Sequence, residues 1–168
     1  FTDEPRGDLP EFVERTQKHL ELNAGEIFSE GIIWDRLDAL DQDKSPGPDG
    51  VQARVIKCCA DELAAPIGKI FERSFEEGRA PALYKEANVV PIFKKGDKVS
   101  AKNYRPVSLT AILSKVMEGI IHGAMYRHLK SENLIAPEQH GFLPRRSCTT
   151  NLLETYEILC EAVEKGEP

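Results

Sequence analysis

Residues 110–129 read TAILSKVMEGIIHGAMYRHL. Ile112, Val116, Ile120 and Ala124 recur at four-residue steps, and Leu113, Met117, Ile121 and Met125 repeat the same step one position on. On a helix, two adjoining rows of this kind merge into one broad apolar stripe that must be removed from water. The stretch from Thr110 to Leu129 therefore predicts a core helix, and the neighbouring segments are read by what they add to it.

Immediately upstream, Asn88–Phe93 (Asn-Val-Val-Pro-Ile-Phe) and Tyr104–Leu109 (Tyr-Arg-Pro-Val-Ser-Leu) have strand composition, each with one proline. Proline has no N–H for a central ladder, so the pair predicts a small exposed β-ribbon. Further upstream, a helix is expected from Ser29, with Ile33, Leu37 and Leu40 on one face and Trp34 beside them. Lys44-Ser45-Pro46-Gly47-Pro48-Asp49-Gly50 follows as a tight loop, since its prolines fix φ and Asp49 can bond its own backbone. Helices are expected over residues 52–60 and 61–77, the second with Leu63, Ile67, Ile70, Phe71 and Phe75 inward and Gly78 as its cap. A last helix should begin near Ser147 or Thr149 and turn Leu152, Leu153, Tyr156, Leu159, Cys160 and Val163 inward. The fold class is α+β, mainly helical, with one small antiparallel ribbon. Residues 1–28, acidic and poor in apolar residues, read as a linker, which leaves 29–168 as one domain.

The 168 residues and 40% apolar content suit a single modest core. Cys58, Cys59, Cys148 and Cys160 lack the spacing of a zinc site and are expected as reduced core thiols. The scattered histidines His19, His122, His128 and His140 suggest no metal site. No apolar run reaches the roughly 20 residues needed to span a bilayer, so a soluble, intracellular protein of cytoplasm or nucleus is expected. The net charge of −6 conceals an uneven distribution, because residues 85–150 hold 11 Lys and Arg against 5 Asp and Glu. A basic middle can lay one face on a polyanion despite acidic flanks.

Two places within that basic middle could carry chemistry. If the strands form a hairpin, Lys94 and Lys95 at the end of one meet Arg105 near the start of the other, a set matched to a triphosphate or to an ordinary solvated turn. In Gln139-His140-Gly141-Phe142-Leu143-Pro144-Arg145-Arg146-Ser147, an aromatic able to stack on a base precedes paired arginines able to meet phosphate, although a plain loop before a helix reads the same way. Nucleotidyl transfer requires convergent carboxylates that hold two metal ions. The acidic pairs Asp61–Glu62 and Glu76–Glu77 fall instead on helix surfaces, so no catalytic residue is assigned.

Taken in order, Lys44–Val51, Ala87–Lys98, Asn103–Thr110 and Gln139–Phe142 resemble the opening motifs of reverse transcriptases from non-LTR (LINE-type) retrotransposons, over a span from about Ser29 onward. The resemblance implies the fingers and partial palm of an RNA-directed DNA polymerase, cut off before the catalytic palm and inactive alone. It implies triphosphate (dNTP) contacts at Lys94, Lys95 and Arg105. Template contacts are implied at Ser45, Gly47, Asp49, Gly50, Gln139, Gly141, Phe142, Arg145 and Arg146. An RNA template, a DNA primer, dNTP and Mg²⁺ would serve the complete enzyme, with no metal held by this chain. The family has arginine and glycine where Leu143 and Arg145 stand, and tryptophan in place of Tyr84. A stand-alone RNA-binding module or a non-functional remnant would retain the same motifs.

Overall fold

The computed structural model describes residues 19–166. Its backbone forms two compact units, Leu20–Arg127 and, among the described residues, His19 with the chain from His128 onward. The first unit comprises α1 (Ala24–Ile27), α2 (Glu30–Asp38), α3 (Ala53–Cys58), α4 (Ala60–Glu76), β1 (Ala87–Phe93), β2 (Tyr104–Thr110) and most of α5 (Ile112–Ser131), with 3-10 turns at Ala82–Lys85 and Ala101–Asn103.

The core gathers where the α5 stripe predicts. Ile112, Val116, Met117 and Ile120 join Ile33 and Leu37 of α2, Ile56 of α3 and Ile67 and Phe71 of α4 in one buried cluster. Met125, at the far end of the second row, stands out of it at 47% exposure. Phe71 is fully buried, and Phe28 meets it edge-on with ring centroids 5.6 Å apart. Removing a side chain of this size from water contributes about 1.5–3 kcal/mol. On α4 the expected stripe loses Ile70, which is 48% exposed, because it lies one residue and so about 100° around the helix from Phe71. Trp34 is likewise partly exposed, and its indole N–H donates to Asp61 Oδ1 at 2.5 Å, tying α2 to the start of α4. Ser29 precedes α2 as expected, but its hydroxyl makes no capping bond. Gly78 closes α4 with φ +61°.

Residues 19–28, the described part of the linker expected over residues 1–28, include a helix and core side chains. Residues 1–18 lie outside the described ones, whereas Ala24 and Phe28 belong to the core. Asn23 caps α1 by accepting from the Glu26 N–H, and the Phe28 ring sits between Phe71 and Phe75. One aromatic at the end of a polar stretch generates no periodicity, so the pattern does not reveal it.

β1 and β2 pair antiparallel, with Pro91 opposite Pro106, Ile92 opposite Arg105 and Phe93 opposite Tyr104. Both strands are largely exposed, as their prolines lead one to expect. Before the ribbon, the proline-glycine loop passes the junction of β2 and α5 at very short range. A Cβ on Gly47 would stand 2.6 Å from Ala111 N and from the Thr110 carbonyl carbon, so only glycine fits between these two stretches of backbone.

In the second unit, α6 (Cys148–Lys165) starts at Ser147, whose hydroxyl accepts from the Thr150 N–H while Thr150 Oγ1 accepts from the Ser147 N–H. The inward face expected for this helix is not found. Leu152, Leu153, Tyr156, Leu159 and Val163 are 59–77% exposed and Cys160 is exposed as well. Periodicity records that a face is apolar and not that something covers it. The core-thiol expectation fails with it: Cys58, Cys148 and Cys160 are exposed and Cys59 is half-buried.

Gly47→Ala should lower stability by about 1–3 kcal/mol, since the clash is with backbone that cannot rotate away. Gly119→Ala, mid-helix with nothing within 4 Å of the new methyl group, should raise it by up to about 1 kcal/mol. Urea denaturation of both variants measures the contrast. In native-state hydrogen exchange, amides of α6, which has no buried residue, should exchange faster than those of α4; equal protection would contradict the exposure of its apolar face.

Candidate functional site

The ribbon's turn is built by local bonds that use few of its cations. Asn103 Nδ2 donates to the Asp97 carbonyl at 2.8 Å, Asp97 Oδ1 accepts from the Val99 N–H at 3.0 Å, and the Lys94 N–H reaches the Asn103 carbonyl at 2.9 Å. Gly96 has φ +90°, and a Cβ there would press within 2.8 Å of Asn103 Nδ2. Tyr104 packs edge-on against Phe93 and donates its hydroxyl to the Lys98 carbonyl, while the Lys98 ammonium lies 5.7 Å from the centre of the Phe93 ring. Lys98 is thus held by the tip itself.

Lys94, Lys95 and Arg105 differ from it. All are exposed, and among the described residues none makes a side-chain hydrogen bond or an ion pair. Because Arg105 stands opposite Ile92, strand alternation places it on the same ribbon face as Lys94, at a diagonal position. The hairpin supposed from the sequence forms, and it leaves three cations at one end with their donors unused.

The second expected set, in the loop 44–50, divides. Ser45 and Gly50 are exposed, whereas Gly47 is buried against the Thr110–Ala111 backbone and offers no surface to a template. Its glycine is explained by close packing. Asp49 is half-buried and its Oδ1 accepts from the Val51 N–H at 3.2 Å, next to the turn bond from the Gly50 N–H to the Gly47 carbonyl. Burial raises the Tyr84 phenol above its ordinary value of 10.0, and the Asp49 charge adds to the rise.

The third set, Gln139 to Arg146, belongs to the second unit. There the Arg146 guanidinium turns onto its own loop, donating to the carbonyls of Pro137 and Gln139. Gln139 Nε2 donates to the Gly141 carbonyl at 2.9 Å. Gly141 is exposed. Phe142 and Arg145 carry left-handed backbone, φ +63° and +62°, and project outward, with Phe142 fully exposed. A bulky residue rarely adopts such φ unless its surroundings impose it. His140 supplies the anchor, a role its sequence position did not suggest. It is buried, with Nδ1 2.9 Å from Thr150 Oγ1 and Nε2 2.5 Å from Glu154 Oε2. These partners lie 10 and 14 residues away in sequence, a separation that carries no motif signal.

Among the described residues, no group of three or more His, Cys, Asp or Glu side chains is placed to hold a metal ion, and no helix is long and apolar enough to cross a membrane.

Comparison with known proteins finds sequence similarity to mobile-element proteins. Over 160 residues, 94% of the chain, it is 30% identical to the transposon TX1 uncharacterized 149 kDa protein of Xenopus laevis, of which it covers 12%. Over 125 residues, 74% of the chain, it is 28% identical to the RNA-directed DNA polymerase from mobile element jockey of Drosophila melanogaster, of which it covers 14%. The Retrovirus-related Pol polyprotein from type-1 retrotransposable element R1 of Bradysia coprophila matches at 28% over 101 residues, 59% of the chain and 10% of that protein. No family model matches the chain. The chain thus has moderate-identity, partial homology to several reverse transcriptases of non-LTR retrotransposons, and spans 12–14% of the length of the first two relatives.

The raised Tyr84 phenol yields a test of the loop's packing. A group bound more firmly to its proton in the folded state stabilises fully below its unfolded pKa, and the contribution is lost as pH rises through the folded value. Stability should therefore decline above about pH 10. Tyrosinate absorbance, taken as the difference between the parent and Tyr84→Phe, should titrate above that value and move down in Asp49→Asn. A midpoint at or below the ordinary value would contradict the burial of Tyr84.

Proposed function

We propose that the chain is an N-terminal fingers portion of an RNA-directed DNA polymerase of the non-LTR retrotransposon kind, contributing grip on substrate while the chemistry lies elsewhere. The observation that carries this reading is the similarity, over 74–94% of the chain, to the jockey polymerase and the TX1 protein. The ribbon supports it. Lys94, Lys95 and Arg105 present two point charges and one donor fork with no internal partner, which suits the triphosphate of an incoming dNTP. Phe142 and Arg145, held outward on a loop fastened by His140 and Arg146, suit a stacking and a phosphate contact with an RNA template. Ser45, Asp49 and Gly50 form the accessible part of the proline-glycine loop on the same reading. Gln139 and Arg146 act through the loop's shape, and Gly141 completes it.

A complete enzyme of this class, working with a DNA primer on the RNA template, uses Mg²⁺ to offset the charge developing during nucleotidyl transfer. Among the described residues no group of three or more His, Cys, Asp or Glu side chains is placed to hold that ion; the part assigned to this chain on the present reading is binding and orientation.

The reading predicts sequence-independent binding of single-stranded RNA that weakens steeply with salt, at a log–log slope of about −0.7 per phosphate contacted. Fluorescence anisotropy at low salt measures it, and absence of binding there would sink the template assignment. In an active polymerase containing this segment, Lys94→Ala with Arg105→Ala should raise the KM for dNTP by roughly tenfold or more. A stand-alone RNA-binding module would instead show only weaker RNA affinity in the same variant.

A further inference from the structure

The first unit carries a second concentration of unused cations, well away in sequence from the ribbon tip. Between the end of α2, Lys44 and the first turns of α5 lies a cavity of about 210 Å³. Arg36, Lys44 and Lys115 line it, over an apolar floor that includes Leu40, Ile112 and Val116, and no carboxylate contributes to its wall. A second hollow shares Arg36 and adds Arg127 beside Ile120. Arg36 Nη2 and Arg127 Nη1 each lie 3.6 Å from the point where a Cβ would stand on Gly123. Two guanidinium groups therefore converge over a bare stretch of α5 backbone. Among the described residues, Arg36, Lys44, Lys115 and Arg127 make no side-chain hydrogen bond and no ion pair. Glu26 and Asp35 line the second hollow without closing on either arginine.

Like charges brought together with no carboxylate in direct contact repel, and a bound anion relieves the repulsion. Guanidinium forks match phosphate oxygens in pairs, and lysines add point charge along the same track. The apolar floor suits the sugar or base that accompanies each phosphate. We propose that this groove along α5 is a phosphate-binding site, shaped for the backbone of a single nucleic-acid strand or for one nucleotide of the same chemistry. It uses none of the ribbon's residues, so it stands or falls separately from the polymerase reading.

The test follows the backbone amides of Gly119 and Gly123 by NMR in the whole chain, titrated with a single-stranded oligouridylate and, separately, with AMP. Saturable shifts at these amides are expected with the oligonucleotide. Arg36→Ala with Arg127→Ala should weaken its binding roughly tenfold and reduce the salt slope by about 1.4, two contacts at about 0.7 each. Lys94→Ala with Arg105→Ala should leave the Gly119 and Gly123 shifts in place. AMP moving the same amides to saturation identifies a mononucleotide site, and silence with AMP identifies a strand; both sustain the proposal. If the double arginine variant fails to fold, exposed Lys115→Ala replaces it, with an expected slope reduction of about 0.7. Unmoved Gly119 and Gly123 amides with both probes, or unchanged oligonucleotide affinity in the groove variants, would overturn it, even if the ribbon variant loses binding.

Discussion

The backbone of Gly47 lies so close to the Thr110–Ala111 peptide that no side chain fits between them. This contact fixes the proline-glycine loop to the point where β2 ends and α5 begins. Three consequences follow from one position. The loop's remaining residues, Asp49 among them, are held beside Tyr84; the chain just before it carries Lys44 to the first turns of α5; and the start of α5 is held where Ile112 and Val116 enter the core. A glycine that looks like a flexible element of a binding motif is a packing element, and the surface presented by the motif is that of its neighbours.

Around that fixed point the charges are arranged in an unexpected way for a chain of net charge −6. Several carboxylates have side-chain partners: Glu77 with Arg73 and Glu161 with Lys165 one helical turn away, and Glu154 with His140 and Asp61 with the Trp34 indole across longer separations. The two exposed helical pairs, Glu77 with Arg73 and Glu161 with Lys165, contribute little to stability. Among the described residues, Lys94, Lys95 and Arg105 at the ribbon tip and Arg36, Lys44, Lys115 and Arg127 along α5 make, by contrast, no side-chain hydrogen bond or ion pair. Net charge sets the far field, whereas binding responds to the field at the contact, so an acidic protein can present cationic sites to a phosphate ligand.

The second unit rests on a different device. Its loop is ordered by polar bonds around His140 and Arg146 and by the Ser147–Thr150 cap, and its helix buries no side chain. Helices in proteins depend mainly on packing of their apolar face, and none of the 18 residues of α6 is buried. The same bonds that order the loop turn Phe142 and Arg145 outward, at the expense of left-handed backbone at both.

Several features were legible in the sequence because they depend on local period or local covalent chemistry. The α5 rows at 112–124 gave the core helix, and Pro91 and Pro106 gave an exposed ribbon, since a missing N–H and a four-residue repeat have the same meaning in any context. The start of α6 at Ser147 was readable for the same reason. Tertiary structure alone decided the rest. It placed Phe28 in the core, Ile70 outside it, Gly47 against Ala111 and His140 against Glu154, and it left Leu152, Tyr156 and Val163 uncovered. Each of these depends on which distant residue occupies the neighbouring space, and a one-dimensional pattern records what a side chain is suited to meet, while only the packed chain determines what it meets.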